Sequence, residues 1–201
     1  MHTEEIKQAV QLFDTVEKWK AFLALTAQTN ELRNVMHRTA YDSIKAYYFA
    51  SNHNASGWSY MPITPNELFM VWYLTEYKEN SICIVMGWSG EIYLEARGGE
   101  FYNDVAKATL LLKSEKFNAL LTKFQYVGTE NDKKYLASEK FNFGFGTTDD
   151  GNFDSMRLAW YAHFKTKEFL QQIIEKVSRF QTPEMTALLA EFNRETRVIN
   201  Q

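Results

Sequence analysis

The sequence predicts an α+β fold of one domain, an antiparallel β-meander over about 68–97 packed with five to seven helices. Three observations lead there. Three short runs rich in β-branched and aromatic residues, Leu68–Tyr77, Ser81–Gly87 and Glu91–Arg97, are parted by three-residue breaks. Segments on both sides of them repeat apolar residues at helical spacing. No stretch is long enough, or rich enough in Pro, Gly or Ser, to separate two domains. Residues 1–201 then form a single unit with a helical N-terminal part (1–52), a sheet-centred part (60–146) and C-terminal helices (154–196).

Thr3–Leu25 has helical spacing with a joint at Asp14. Ile6, Val10 and Phe13 share one face before it; Val16, Trp19, Phe22 and Leu23 follow it. Asp14 with Glu17 resembles a capping box that restarts the helix. Asn30 can cap the next helix, to about Ala50, with Leu32, Val35, Met36, Ala40, Ile44, Tyr47 and Tyr48 as the buried stripe. Its Arg33, His37, Arg38 and Lys45 are read as a solvated face, against the alternative of an anion-contacting edge. Ser51–Pro65 reads as a loop, because Asn, Gly, Ser and two prolines cluster there. Trp58, Tyr60 and Met61 are expected to pack over the sheet edge; the alternative is a binding loop.

Within the meander, Lys78-Glu79-Asn80 and Trp88-Ser89-Gly90 suit a type I turn followed by a left-handed residue, Asn80 or Gly90. Three-residue loops would place Thr75 opposite Cys83, Tyr73 opposite Val85, Val85 opposite Tyr93 and Cys83 opposite Glu95. One face then carries Met70, Trp72, Leu74, Ile82, Ile84, Met86, Ile92, Leu94 and Ala96, all apolar. The other carries Tyr73, Thr75, Tyr77, Ser81, Cys83, Val85, Glu91, Tyr93, Glu95 and Arg97. A one-residue slip would mix the faces, so the clean separation favours this reading.

Phe101–Phe124 is helical, with a break near Ser114. Gln125–Gly128 and Lys134–Phe145 look extended about an Asn131-Asp132 turn and can lengthen the sheet. Gly144–Asp154 reads as an acidic loop, after which Asp154 or Ser155 caps a long helix to about Phe180. The stripe of that helix includes Met156, Trp160, Phe164, Leu170, Ile173, Ile174 and Val177. Thr182-Pro183 starts the last helix, with Met185, Leu188, Leu189 and Phe192 inward.

Charge and composition narrow the function. The net charge is −3, and residues 61–100 alone carry two basic and six acidic side chains, a balance of −4. Acid on the meander disfavours direct nucleic-acid binding, which usually needs a basic patch. The single Cys83 excludes an internal disulfide framework. No signal peptide is recognised and no run reaches the ~18 apolar residues of a membrane span. A cytoplasmic setting without membrane contact is expected.

Two constellations offer chemistry. Glu95-Ala96-Arg97, with Glu79 in the preceding turn, resembles the acid–spacer–lysine half of restriction-type metal-dependent nucleases. That resemblance implies two carboxylates on a divalent ion and a cation beside the attacking water. Arginine stands where that pattern has lysine, and it shares a proton poorly. Arg157 and His163 have a spacing that resembles the HEPN ribonucleases. That family is all-helical, however, and Leu158 follows the arginine in this chain instead of a polar residue. Asp149-Asp150-Gly151-Asn152-Phe153-Asp154 lacks calcium-loop spacing, and Phe143-Gly144-Phe145-Gly146 lacks the lysine of a phosphate loop. His2, His37, His53 and His163 have no zinc spacing, so neither metal nor cofactor is assigned.

Tyr73, Tyr77, Tyr93, Glu91, Glu95 and Arg97 on one sheet face, with Trp58 beside it, suit an interface. Tyr and Arg bury area while keeping a polar end, and the acids suit a basic partner. The expected function is therefore binding of a protein with a basic surface, in an inhibitor or immunity-like role. The alternatives are a metal-dependent nuclease using Glu79, Glu95 and Arg97, and a small-ligand sensor closed by the Trp58 loop. Tyrosines that merely favour strands are the bland counterpart.

Overall fold

A computed structural model describes residues 7–8, 10–50, 55–64, 68–87, 90–127, 134–141 and 151–198. The fold is α+β, with seven α-helices and six strands among the described residues. Helices α1 (Val16–Ala27) and α2 (Thr29–Ala50) come first, then strands β1 (Trp58–Thr64), β2 (Phe69–Leu74), β3 (Ile82–Met86) and β4 (Glu91–Ala96). A 3₁₀ turn (Gly99–Phe101) leads to α3 (Val105–Leu112) and the single turn α4 (Asn118–Leu121). Strands β5 (Tyr126–Val127) and β6 (Tyr135–Lys140) follow, then α5 (Gly151–Phe164), α6 (Thr166–Ser178) and α7 (Pro183–Thr196). The strands form one antiparallel sheet in the order β1-β2-β3-β4-β6-β5.

The meander and its faces are as expected. All nine apolar residues of the first face are buried to 2% exposure or less, and the helices build one continuous core over that face. Tyr48 of α2 stacks on Tyr60 at 5.0 Å and meets Trp72 edge-on at 5.3 Å, fastening the helix to β1 and β2. The C-terminal side is held by Asn193 of α7. Its amide accepts from Ile82 N–H at 2.8 Å and donates to Ile82 C=O at 3.2 Å, doing for β3 what a neighbouring strand would do.

The β3–β4 register is the expected one, with Val85 opposite Tyr93, Cys83 opposite Glu95, and Gly90 left-handed. The β2–β3 register is shifted by two residues. Val71, not Tyr73, lies opposite Val85. The connection is correspondingly longer, and Lys78 rather than Asn80 takes the left-handed conformation. The amides of Tyr77 and Lys78 both turn back to the Leu74 carbonyl, winding a helical turn. The Asn80 carbonyl is engaged elsewhere, accepting from Gly98 N–H at 2.9 Å and from Asn103 Nδ2 at 3.3 Å. A shift of two leaves the strand side chains on their faces, so the assignment holds within β2, β3 and β4 although the register differs. Tyr77, expected on the second face, instead leaves the sheet in the wound connection and packs against the main core.

Several other expectations are corrected. The stretch read as a loop over Ser51–Pro65 contains the edge strand β1. Its Pro62 hides the strand in the sequence, yet an edge tolerates a missing N–H. Thr15, not Asp14, caps α1, while Asp14 pairs with Lys18. The long helix expected to run to Phe180 breaks at Lys165, where the Thr166 hydroxyl donates back to the Ala162 carbonyl at 2.7 Å. Helix α5 has begun by Gly151, so Asp154 and Ser155 lie inside it and do not cap it. Val16, Trp19, Leu23, Val35, Trp160 and Phe164, which have the spacing of buried stripes, are exposed. The Asn131-Asp132 turn, Trp88-Ser89 and residues 144–150 of the acidic loop lie outside the described residues.

Candidate functional site

The second face of the sheet is built in rows. Met61, Val71, Val85, Tyr93 and Ser138 form one, and Cys83, Glu95 and Tyr135 belong to the next. Val71, Cys83 and Val85 are fully buried, and Phe69, Tyr73 and Tyr93 pack on them as a second small apolar cluster. The Tyr93 ring lies across Gly87, where an added Cβ would meet the ring at 2.6 Å, and packs against Tyr135 at 4.7 Å. Glycine at 87 thus makes room for an aromatic on the neighbouring strand. Arg97 carries its guanidinium to 5.7 Å from the Phe69 ring.

The charges on this face are not those of the meander alone. Strand β6 sets Lys140 opposite Glu91, and it brings Lys134 Nζ to 3.5 Å from Glu95 Oε1. Glu95 is 2% exposed and its Oε2 has no hydrogen-bond partner. Burial pushes its carboxyl above the usual range, outweighing the pull of Lys134 and Arg97. Burial also raises the Cys83 thiol to about 12, so Cys83 packs as a small side chain and is no nucleophile at neutral pH. The two lysines are not legible in the sequence as part of this face, because they stand some forty residues beyond the acids. Their only local signal is the extended run in which they lie.

The other expected site residues are dispersed. Trp58 lies on the opposite, core side of the sheet. It is 5% exposed and donates its indole N–H to Thr186 Oγ1 at 2.9 Å. It therefore forms no loop over the second face. Glu79 and Tyr77 belong to the β2–β3 connection and line a cavity of about 260 Å³ at the end of the sheet. Glu76, Lys78, Asn80, Ser81, Tyr102, Asn103, Asn193 and Arg197 complete its walls, a cavity invisible in the sequence because it needs the chain's C-terminal part. Burial raises the Tyr77 hydroxyl, with Glu76 adding to the effect and Arg194 and Arg197 opposing it.

For the nuclease pattern, Glu95 is turned to Lys134 and Arg97 to Phe69. No group of three or more His, Cys, Asp or Glu among the described residues could hold a metal ion. His163 Nδ1 stands 3.0 Å from Thr39 Oγ1 at the α2–α5 contact, a packing partnership between helices.

Helix α1 is not among the site elements expected from sequence. None of its residues is buried. Val10, Leu12, Val16, Trp19, Leu23 and Leu25 are exposed along and just before it, Trp19 at 48%. Phe13, Trp19 and Phe22 pack on one another at 4.5–6.0 Å. No helix among the described residues is long and apolar enough to cross a membrane. No family model matches the chain, and neither a curated protein nor a solved structure is significantly similar to it.

Proposed function

We propose that this chain works by binding another protein, and that helix α1 is its principal docking element. The observation that carries this is the absence of any buried residue in an aromatic-bearing helix. Twelve residues form only a marginal helix alone in water, and most helical stability comes from packing an apolar face. A contiguous apolar surface left exposed is a feature of interaction sites. Asp14, Glu17, Lys18 and Lys20 balance in charge, so the partner surface that fits the arm is apolar, read as a helix laid into a groove.

The sheet face supports a narrower version, occlusion of a basic partner in an inhibitor-like role. Glu95 is too buried to touch a partner and Lys140 lies opposite Glu91, so that version rests chiefly on half-buried Tyr73 and Tyr93, with Glu91 the one acid of this face left for a basic partner. A cytoplasmic setting agrees with the lone, buried thiol.

Capture from source-cell lysate, read by cross-linking mass spectrometry, tests both versions. Wild type, a Trp19→Asp/Leu23→Asp variant and a Glu91→Lys variant are compared. A partner cross-linked to α1 and lost with the double variant supports the arm. Loss only with Glu91→Lys moves the interface to the sheet. The same captured set for all three folded proteins overturns the proposal.

A further inference from the structure

The cavity at the end of the sheet opens to solvent, with Glu76, Lys78, Tyr102 and Arg197 exposed at its mouth, and it has walls of both charges. Glu76 and Glu79 come from the β2–β3 connection, which also supplies Lys78 and Tyr77. Arg197 comes from beyond α7, and Tyr102 from beyond the 3₁₀ turn. Among the described residues, neither carboxylate nor Arg197 is held in an ion pair. The back of the site is fixed. Asn103 and Asn193 are 2% and 1% exposed, and their amides are tied to Asn80 and Ile82. The backbone bridge from Asn103 to Arg197 anchors the basic wall to the same framework.

At about 260 Å³ the space lies just under the range of pockets for drug-sized molecules, which points to a small metabolite. The formal charges of Glu76, Lys78, Glu79 and Arg197 cancel. A lone anion in this cavity meets two carboxylates, and a lone cation meets Lys78 and Arg197, so the lining favours neither sign alone. A molecule carrying both signs satisfies both walls.

We propose that this cavity binds a free α-amino acid. Its ammonium group is taken by Glu76 and Glu79, its carboxylate by Arg197, and its hydrocarbon part by the rings of Tyr77 and Tyr102. This site is separate from α1 and from the second face of the sheet, so it stands or falls apart from the protein-binding proposal.

Thermal shift followed by calorimetry on the full chain tests it. The probes are glycine, L-leucine, L-glutamine, L-glutamate and L-arginine, with acetate and ethylamine as single-charge halves. At least one amino acid raises Tm in a saturable way at concentrations on the order of 10 mM or below, and neither half does. Glu79→Gln and Arg197→Gln, each folded by circular dichroism, weaken that amino acid by roughly tenfold or more, the loss of one charge-assisted contact. No response to any amino acid overturns the proposal. So does an equal response to acetate or ethylamine, or unchanged affinity in both folded variants.

Discussion

Asn193 and Glu95 are both buried polar groups, and their surroundings give them opposite energetics. Asn193 meets both backbone groups of Ile82 and also donates to the Leu189 carbonyl at 3.1 Å, so its amide is spent on structure. Glu95 is a buried carboxylate with one oxygen unbonded and a lysine at 3.5 Å. A carboxyl whose folded-state pKa lies above its unfolded value destabilises the fold once pH exceeds the ordinary carboxylate range. That penalty is complete above the raised value. Glu95→Gln is therefore expected to stabilise the protein at pH 7 by about 1 kcal/mol, or roughly 3 °C in Tm for a chain of this size. The gain shrinks as pH falls through the raised value and vanishes below the usual carboxylate value. Thermal melts of both proteins across pH check it; a variant less stable than wild type at pH 7 would show that the Lys134 contact outweighs burial.

Between elements, β6 is tied to α6 by Glu139, whose carboxylate accepts from both Lys176 and Arg179. Burial alone would raise the Glu139 carboxyl, but the two cations overcome it and hold the group below its usual range. A depressed folded-state pKa stabilises the fold above the unfolded value, and that stability is lost as pH falls toward the folded one. Glu139→Gln should cost roughly 2 kcal/mol at pH 7, less than the 3–5 of a fully enclosed pair because Arg179 is partly in water. The variant and the wild type should converge in acid. Denaturant midpoints followed from pH 7 down to about pH 2 decide it, and a gap that does not narrow anywhere below the usual carboxylate range would count against the pairing. The connections obey the same tertiary logic. Leu74 to Ser81 could have closed as a three-residue hairpin on local grounds, but Asn80 is held by Gly98 and Asn103 and the turn widened to suit.

At the scale of the molecule, stability is graded from the sheet centre to the arm. Ile84, Val85, Ile92 and Leu94 are fully buried in interior strands, whereas no residue of α1 is buried. Amide exchange should follow that gradient. Protons of β3 and β4 exchange only on global unfolding, and those of α1 exchange fastest of the helices. Deleting residues 1–27 should move Tm by no more than about 2 °C. Mass-resolved hydrogen exchange and a melt of the truncated chain test this, and strong α1 protection in the isolated protein would mean that the arm has a partner within its own chain or a second copy.

The same gradient separates what is legible in the sequence from what is not. Which side chains share a face in Met70–Leu74, Ile82–Met86 and Glu91–Ala96 is a period-two property of adjacent residues, so the strands and the membership of each face were legible in the sequence, whereas which face the helices cover was decided by the tertiary structure. The Thr182-Pro183 helix start, too, is written in neighbouring residues. Everything that depended on distant partners was decided by tertiary structure. β1 is a strand despite Pro62 because β2 offers it an edge. Glu91 and Glu95 ceased to be a free acidic patch because β6 placed Lys140 and Lys134 beside them. The cavity at the sheet end exists only where Arg197 returns to Asn103. Trp19 and Leu23 have the spacing of a buried stripe, yet both are exposed and no residue of α1 is buried. Helical periodicity states which side of a helix is apolar; only packing states whether anything lies against it.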